Sequence, residues 1–291
     1  MTFNDNANVG GSTARRRGGG GGLAIGGGVA GLGAIAVLLL QLFTGQDFSG
    51  LVGLGSGTDS STESSEISGC LTGADANTND DCRLAAGSKA IDQYWATQMN
   101  GYTQPQLIIV DGSTSTQCGT ASNATGPFYC PPEQTVYIDP TFFGILRENY
   151  GASAGSLAQL YVLAHEYGHH VQNLIGVMDK YPSNGTGADS NSVRTELQAD
   201  CFAGAWVGDM TEQVDENGVA YLQAPTQDQI RDALDAAAAV GDDHIQQQSG
   251  SGVNSDSWTH GSSEQRQRWF TKGYEGGPAA CDTFAVSGSD L

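Results

Sequence analysis

The sequence predicts an α+β domain with a helical core and a small β-sheet, preceded by one transmembrane helix. Three observations carry that reading. An uncharged run from Leu23 to Phe43 is just long enough to cross a hydrocarbon core. Strand-like segments around Gln106–Val110 and Thr135–Ile138 come first, and stretches with helical period and capping residues follow them. All six cysteines, Cys70, Cys82, Cys118, Cys130, Cys201 and Cys281, lie after the apolar run.

Taken in order, residues 1–22 read as a disordered cytoplasmic tail ending near Arg15-Arg16-Arg17. Arginines just before an apolar span stay in the cytoplasm, so 23–43 becomes a membrane helix with everything after it outside. A cleaved signal peptide is the rival; its apolar core would be shorter, and no A-x-A site follows Phe43. Residues 44–68 form a Gly/Ser/Thr/Asp linker, and 69–291 the folded domain.

Within that domain Asp80 or Asp81 can cap a helix over 82–99 that stops at Gly101. Gln106–Val110 is a buried strand ended by Asp111-Gly112. Segments on either side of Pro131-Pro132 suggest a hairpin, with Thr135–Ile138 as its second strand and the candidate edge for an extended peptide. Helices are expected over 154–174, 192–210, 226–240 and 263–273. Thr226 with Gln229 and Ser262 with Gln265 form capping boxes, and Gly241 is the expected C′ residue of the third helix.

Charge excludes one class of partner. A formal charge of −20 leaves no basic stripe for a phosphate backbone, so nucleic acid is not expected. The even cysteine count reads as a disulfide framework. Local pairing of Cys70 with Cys82 and Cys118 with Cys130 would leave Cys201 to join Cys281. Zinc thiolates are the alternative, but the chain has no C-x-x-C pair.

The chemistry sits in His165-Glu166-Tyr167-Gly168-His169. Spacing i, i+4 puts both imidazoles on one helix face, where they can reach a single ion. Glu166 projects beside them, placed to take a proton from a metal-held water. A solvated helix face is the plain alternative, but Val162-Leu163-Ala164 and Val171 are apolar company. Two histidines need a third ligand. Glu196 and Asp200, again i, i+4 and set among Ala199, Phe202 and Trp206, offer one carboxylate to the metal and one to a ligand imidazole. His260, just before the last helix, is an open candidate, and Arg266 can pair with an acidic core residue. His170 points away from His169, and His244 lies in a polar run.

H-E-x-x-H followed by E-x-x-A-D resembles the gluzincin type of zinc peptidase. Gly126-Pro-Phe-Tyr-Cys-Pro, Thr135-Val-Tyr-Ile-Asp, Tyr161-Val-Leu-Ala-His-Glu-Tyr-Gly-His-His-Val-Gln and Glu196-Leu-Gln-Ala-Asp-Cys-Phe-Ala-Gly together resemble the bacterial neutral zinc metallopeptidases over about residues 69–285. The resemblance implies a zincin-like domain binding Zn2+ through His165, His169 and Glu196. It implies Glu166 as general base, Asp200 as the residue orienting the first ligand histidine, and His260 as an oxyanion partner, although Gly261 stands where the wider group has proline. The implied protein is a membrane-anchored endopeptidase acting on peptide or protein substrates outside the cytoplasm. A non-catalytic zinc-stabilised envelope binding protein and a cell-wall peptide amidase are the alternatives.

Overall fold

The computed structural model describes residues 2–18, 64–250 and 252–291. Strands β1 (Arg15–Gly18) and β2 (Ser65–Glu66) come first, followed by helices α1 (Gly73–Thr78) and α2 (Asp80–Gln98). Then come β3 (Gln106–Asp111), β4 (Ser113–Thr116), β5 (Gly119–Ser122), β6 (Phe128–Cys130) and β7 (Thr135–Ile138). The rest is helical: α3 (Phe142–Tyr150), α4 (Ser156–Leu174), α5 (Val177–Lys180), α6 (Asn191–Gly208), α7 (Gln227–Ala239), α8 (Asp242–Gln248) and α9 (Ser263–Gly276). The fold is mixed α+β, as the sequence predicts.

Five strands form one sheet in the order β2-β1-β3-β7-β6. β1 and β3, and β3 and β7, run parallel; β6 returns antiparallel to β7. Successive residues of β3 face opposite ways, as a pleated strand requires. Leu107 and Ile109 join the main helical core, while Ile108 and Val110 pack with Phe128, Tyr137 and Ala121 under the β4–β5 hairpin. A strand buried on both faces reads as an unbroken apolar run, which explains Leu-Ile-Ile-Val.

The helices stack in sequence across the other face: α2 on α4, α4 on α6 and α7, and α6 on α9. Both expected capping boxes are present, Thr226 with Gln229 and Ser262 with Gln265. Disulfides join Cys70 to Cys82, Cys118 to Cys130, and Cys201 to Cys281. The last ties α6 to the C-terminal segment.

Four expectations are corrected. The first residues are no loose tail. Phe3, Ala7 and Val9 are buried in the main core. Asn4 N–H donates to Tyr221 O at 2.9 Å, and Val9 N–H to Leu71 O at 3.0 Å. β1 fills an interior place in the sheet through main-chain bonds, so its arginines need no apolar pattern; Arg16 pairs with Asp81. The folded unit therefore includes residues 2–18 as well as the expected 69–291. Second, Thr135–Ile138 is not an edge: it lies between β3 and β6, and β6 is the edge. Third, Gly241 is the C′ residue of α7, directly after its C-cap Val240 as expected, but with φ −71° instead of the left-handed conformation usual there; it doubles as the N-cap of α8, and a Cβ on it would come within 2.5 Å of Ser263 N. Fourth, the tail's placement across a membrane from the catalytic domain conflicts with β1 pairing directly to β2 and β3.

The expected membrane helix at 23–43, and most of the 44–68 linker, lie outside the described residues. Among the described residues no helix is long and apolar enough to cross a membrane.

Candidate metal centre

α4 is a buried helix, with Leu157, Leu160, Leu163 and Ala164 in the core, so its His165, Glu166 and His169 are also carried inside. α6 crosses it and delivers Glu196 and Asp200, both buried. The approach is close because Gly168 has no side chain: a Cβ there would meet the main chain of Ala199 at 3.0 Å.

His165 and His169 face each other with ring centroids 4.8 Å apart. His165 Nδ1 donates to Asp200 Oδ1 at 2.9 Å, and His169 Nδ1 to Gln172 Oε1 at 2.9 Å. Those bonds fix the tautomer of each neutral ring and leave bare Nε2 lone pairs. Both lone pairs point at Glu196. His165 Nε2 lies 3.2 Å from Oε2, and His169 Nε2 lies 3.5 Å from Oε1. Oε1 is buried and accepts no hydrogen bond. The three ligand atoms lie within 4.8 Å of one another. Three acceptors facing one another in a buried site repel unless a cation sits between them, so the residues fit a metal ion. Nitrogen, nitrogen and carboxylate oxygen is a donor set that suits zinc.

The surrounding carboxylates favour positive charge at this spot, whether a proton or a cation supplies it. Burial works against a charged His165, yet the Asp200 carboxylate and then Glu196 outweigh it and push its pKa up to about 10. Burial likewise opposes a charged Glu196, but the two imidazoles hold its carboxyl well below the usual range. Asp200 takes two hydrogen bonds from Arg266, Nε at 2.8 Å and Nη2 at 2.9 Å, and one from Tyr161 OH at 2.5 Å. This is the acidic partner expected for Arg266.

Glu166 is buried beside the cluster. Burial raises its pKa, partly offset by His165, His169 and a hydrogen bond from the Tyr129 main-chain N–H. A raised carboxylate pKa brings its basicity closer to neutral pH.

His260 lines the same cleft, and its Nε2 is buried without a partner. Its Nδ1 lies 3.1 Å from Asp242 Oδ1. Asp242 Oδ2 accepts main-chain N–H groups from Thr259, His260 and Gly261 at 2.7, 2.7 and 3.0 Å. Gly261 has φ +89° and gives its N–H to that carboxylate, two things proline cannot do. The cleft above the cluster has a volume of about 280 Å³, with Phe128, Phe142, Tyr150, Val162, Val240 and Ile245 among its walls.

His170 faces away from the cluster, as expected. His244 is half-buried rather than solvated, with Nε2 donating to Tyr150 O at 3.2 Å. Sequence reasoning missed Gln172, Asp242 and Tyr129. Gln172 could have been found from its i+3 spacing to His169; Asp242 and Tyr129 depend on tertiary contacts that no local pattern signals.

Two crossed helices carrying H-E-x-x-H and E-x-x-A-D around one cation-demanding cluster define a mononuclear zinc-site protein. The chain belongs to the family described as "Putative neutral zinc metallopeptidase", whose model matches residues 3–284. That match begins within the N-terminal segment packed into the core. An uncharacterized protein of Mycobacterium tuberculosis (strain H37Rv) is 49% identical over 224 residues, 76% of each chain. The uncharacterized protein YpfJ of Escherichia coli (strain K12) is 41% identical over 265 residues, 89% of this chain and 88% of its own. No solved structure matches the chain.

Proposed function

We propose that this protein is a zinc-dependent endopeptidase with a zincin-like catalytic core. The observation that carries the reading is the convergence of two imidazole Nε2 atoms and an unpaired Glu196 oxygen beside a buried carboxylate, Glu166. Among the described residues the cluster supplies three donors, which leaves room for a water, whereas a structural ion is closed by four. That count favours catalysis over a purely structural zinc.

When bound, zinc supplies Lewis acidity toward a water molecule and a carbonyl oxygen. The protein's own groups do the rest. Glu166 accepts the proton from the attacking water and returns it to the leaving amine. His260, charged and held by Asp242, turns an Nε2–H into the cleft toward the developing oxyanion. Asp200 and Gln172 keep the ligand imidazoles in the right tautomer. An extended peptide fits the free edge of β6, and the apolar cleft walls suit an aliphatic or aromatic side chain next to the scissile bond. Three disulfides support an oxidising compartment for the domain.

The test is to incubate the purified protein with a proteome-derived peptide library, with and without chelator, and sequence the new termini. Chelator-sensitive cleavage beside apolar residues is expected. Glu166→Gln should keep stoichiometric zinc and lose at least about a thousandfold in kcat, since the base acts only in the transition state. Full activity in that variant sinks the assignment. Muropeptides included in the library separate a peptidase from a cell-wall amidase.

A further inference from the structure

His165 and His169 are each held through Nδ1, but by different chemistries. The Asp200 carboxylate only accepts, so His165 presents a proton to it. Gln172 is an amide with an accepting end and a donating end, and alone it would hold either tautomer of His169. Its neighbours must choose which end faces the ring.

Two groups make that choice. Gln172 Nε2 lies 2.7 Å from the main-chain oxygen of Thr195 and 3.0 Å from Gln198 Oε1. Gln198 is itself an amide, and its Nε2 lies 2.8 Å from the main-chain oxygen of Cys281. A carbonyl only accepts, so each amide nitrogen must face its main-chain oxygen. Turning Gln198 over would set its oxygen against Cys281 O and its NH2 against that of Gln172. Turning Gln172 over would set its oxygen against two acceptors. Gln172, Thr195 and Gln198 are buried, where such mismatches are costly.

The far end of this chain of bonds is itself fixed. Cys281 is cross-linked to Cys201 of α6, and two residues on, Thr283 Oγ1 donates to Arg194 O at 2.7 Å. Arg194 Nη1 donates to Val286 O at 3.0 Å. The polarity then runs one way: Gln198 donates to Cys281, Gln172 to Gln198, and His169 to Gln172. We infer that Gln198, oriented by the Cys281 carbonyl, is a positioning residue that holds the Gln172 amide oxygen toward His169 and so keeps Nε2 of that ring free for the metal. This rests on the zinc reading for the ion, but the ring tautomer is read without it.

The test measures zinc affinity of the full chain by competition with a chromogenic chelator. Gln198→Met keeps the bulk, removes both ends of the amide and weakens zinc binding about fivefold. Gln198→Glu still accepts from Gln172 in either protonation state, and it binds zinc no more weakly than wild type. Gln172→Leu weakens binding about tenfold, and adding Gln198→Met costs nothing further, because both act through one amide. In metal-free protein at alkaline pH, ring nitrogen NMR shifts of His169 show the Nδ1–H tautomer in wild type and Gln198→Glu, and a mixture in Gln198→Met. Wild-type affinity and a wild-type ring pattern in Gln198→Met overturn the inference, as do losses that add in the double variant. If Gln198→Met does not fold, Gln198→Asn, one methylene too short to bridge Gln172 and Cys281, gives the same readings. If the wild-type protein binds no zinc, the metal reading fails separately, and the ring pattern alone decides the role of Gln198.

Discussion

Asp242 divides its carboxylate between two tasks. One oxygen gathers three consecutive main-chain N–H groups from Thr259 to Gly261, and the other faces His260 Nδ1. Burial opposes charge on His260, but the Asp242 carboxylate overcomes it and raises the imidazole pKa above its ordinary value. The charged, donating form is therefore present below that raised pKa and is lost as pH rises through it. Asp242→Asn keeps an acceptor for the turn but removes the charge. We expect the alkaline limb of kcat/KM against pH to move to lower pH in that variant. An unmoved limb would remove His260 from the reaction. At this scale the sequence was informative where chemistry is local. His165, Glu166 and His169 are fixed by one helical turn. Asp242 was invisible, because its partner lies eighteen residues away around a turn that only the fold creates.

The element that aligns the site is the pair α6 and α9. Gly204 and Gly273 lie at their contact, where a Cβ on Gly273 would sit 1.8 Å from Cys201 O and one on Gly204 2.0 Å from Phe270 O. The two backbones touch, and that approach brings Arg266 of α9 onto Asp200 of α6. Gly273→Ala should push the helices apart and cost about 3 kcal/mol in chemical denaturation, with weaker zinc retention as Asp200 loses its partner. Unchanged stability would mean that the contact adjusts more freely than its geometry suggests. Helices were readable from caps and period, including both capping boxes. Short elements were not: α1, α3 and α8 carry too few turns to show a period, and Gly241, read as the stop of α7, also caps the start of α8.

For the molecule as a whole, the α+β class was legible because β3 and β7 are apolar and the long helices follow them. β1 was not, because an arginine-rich strand held through main-chain bonds shows no apolar alternation, and the glycines on both sides read as loose chain. Phe3 gives a direct check. It is fully buried, so Phe3→Ala should cost about 3–5 kcal/mol by chemical denaturation, whereas a residue in a loose tail would cost nothing. The β1–β2 pairing reaches further. Arg16 stands opposite Ser65, so the protein is left at Gly18 and rejoined at the very next strand. A chain that traverses a bilayer an odd number of times between those points would have to be sewn to itself through the lipid. Tags on the first and last residues should accordingly be shielded or labelled together by an impermeant reagent in intact cells, and a split result would mean that this sheet does not assemble there.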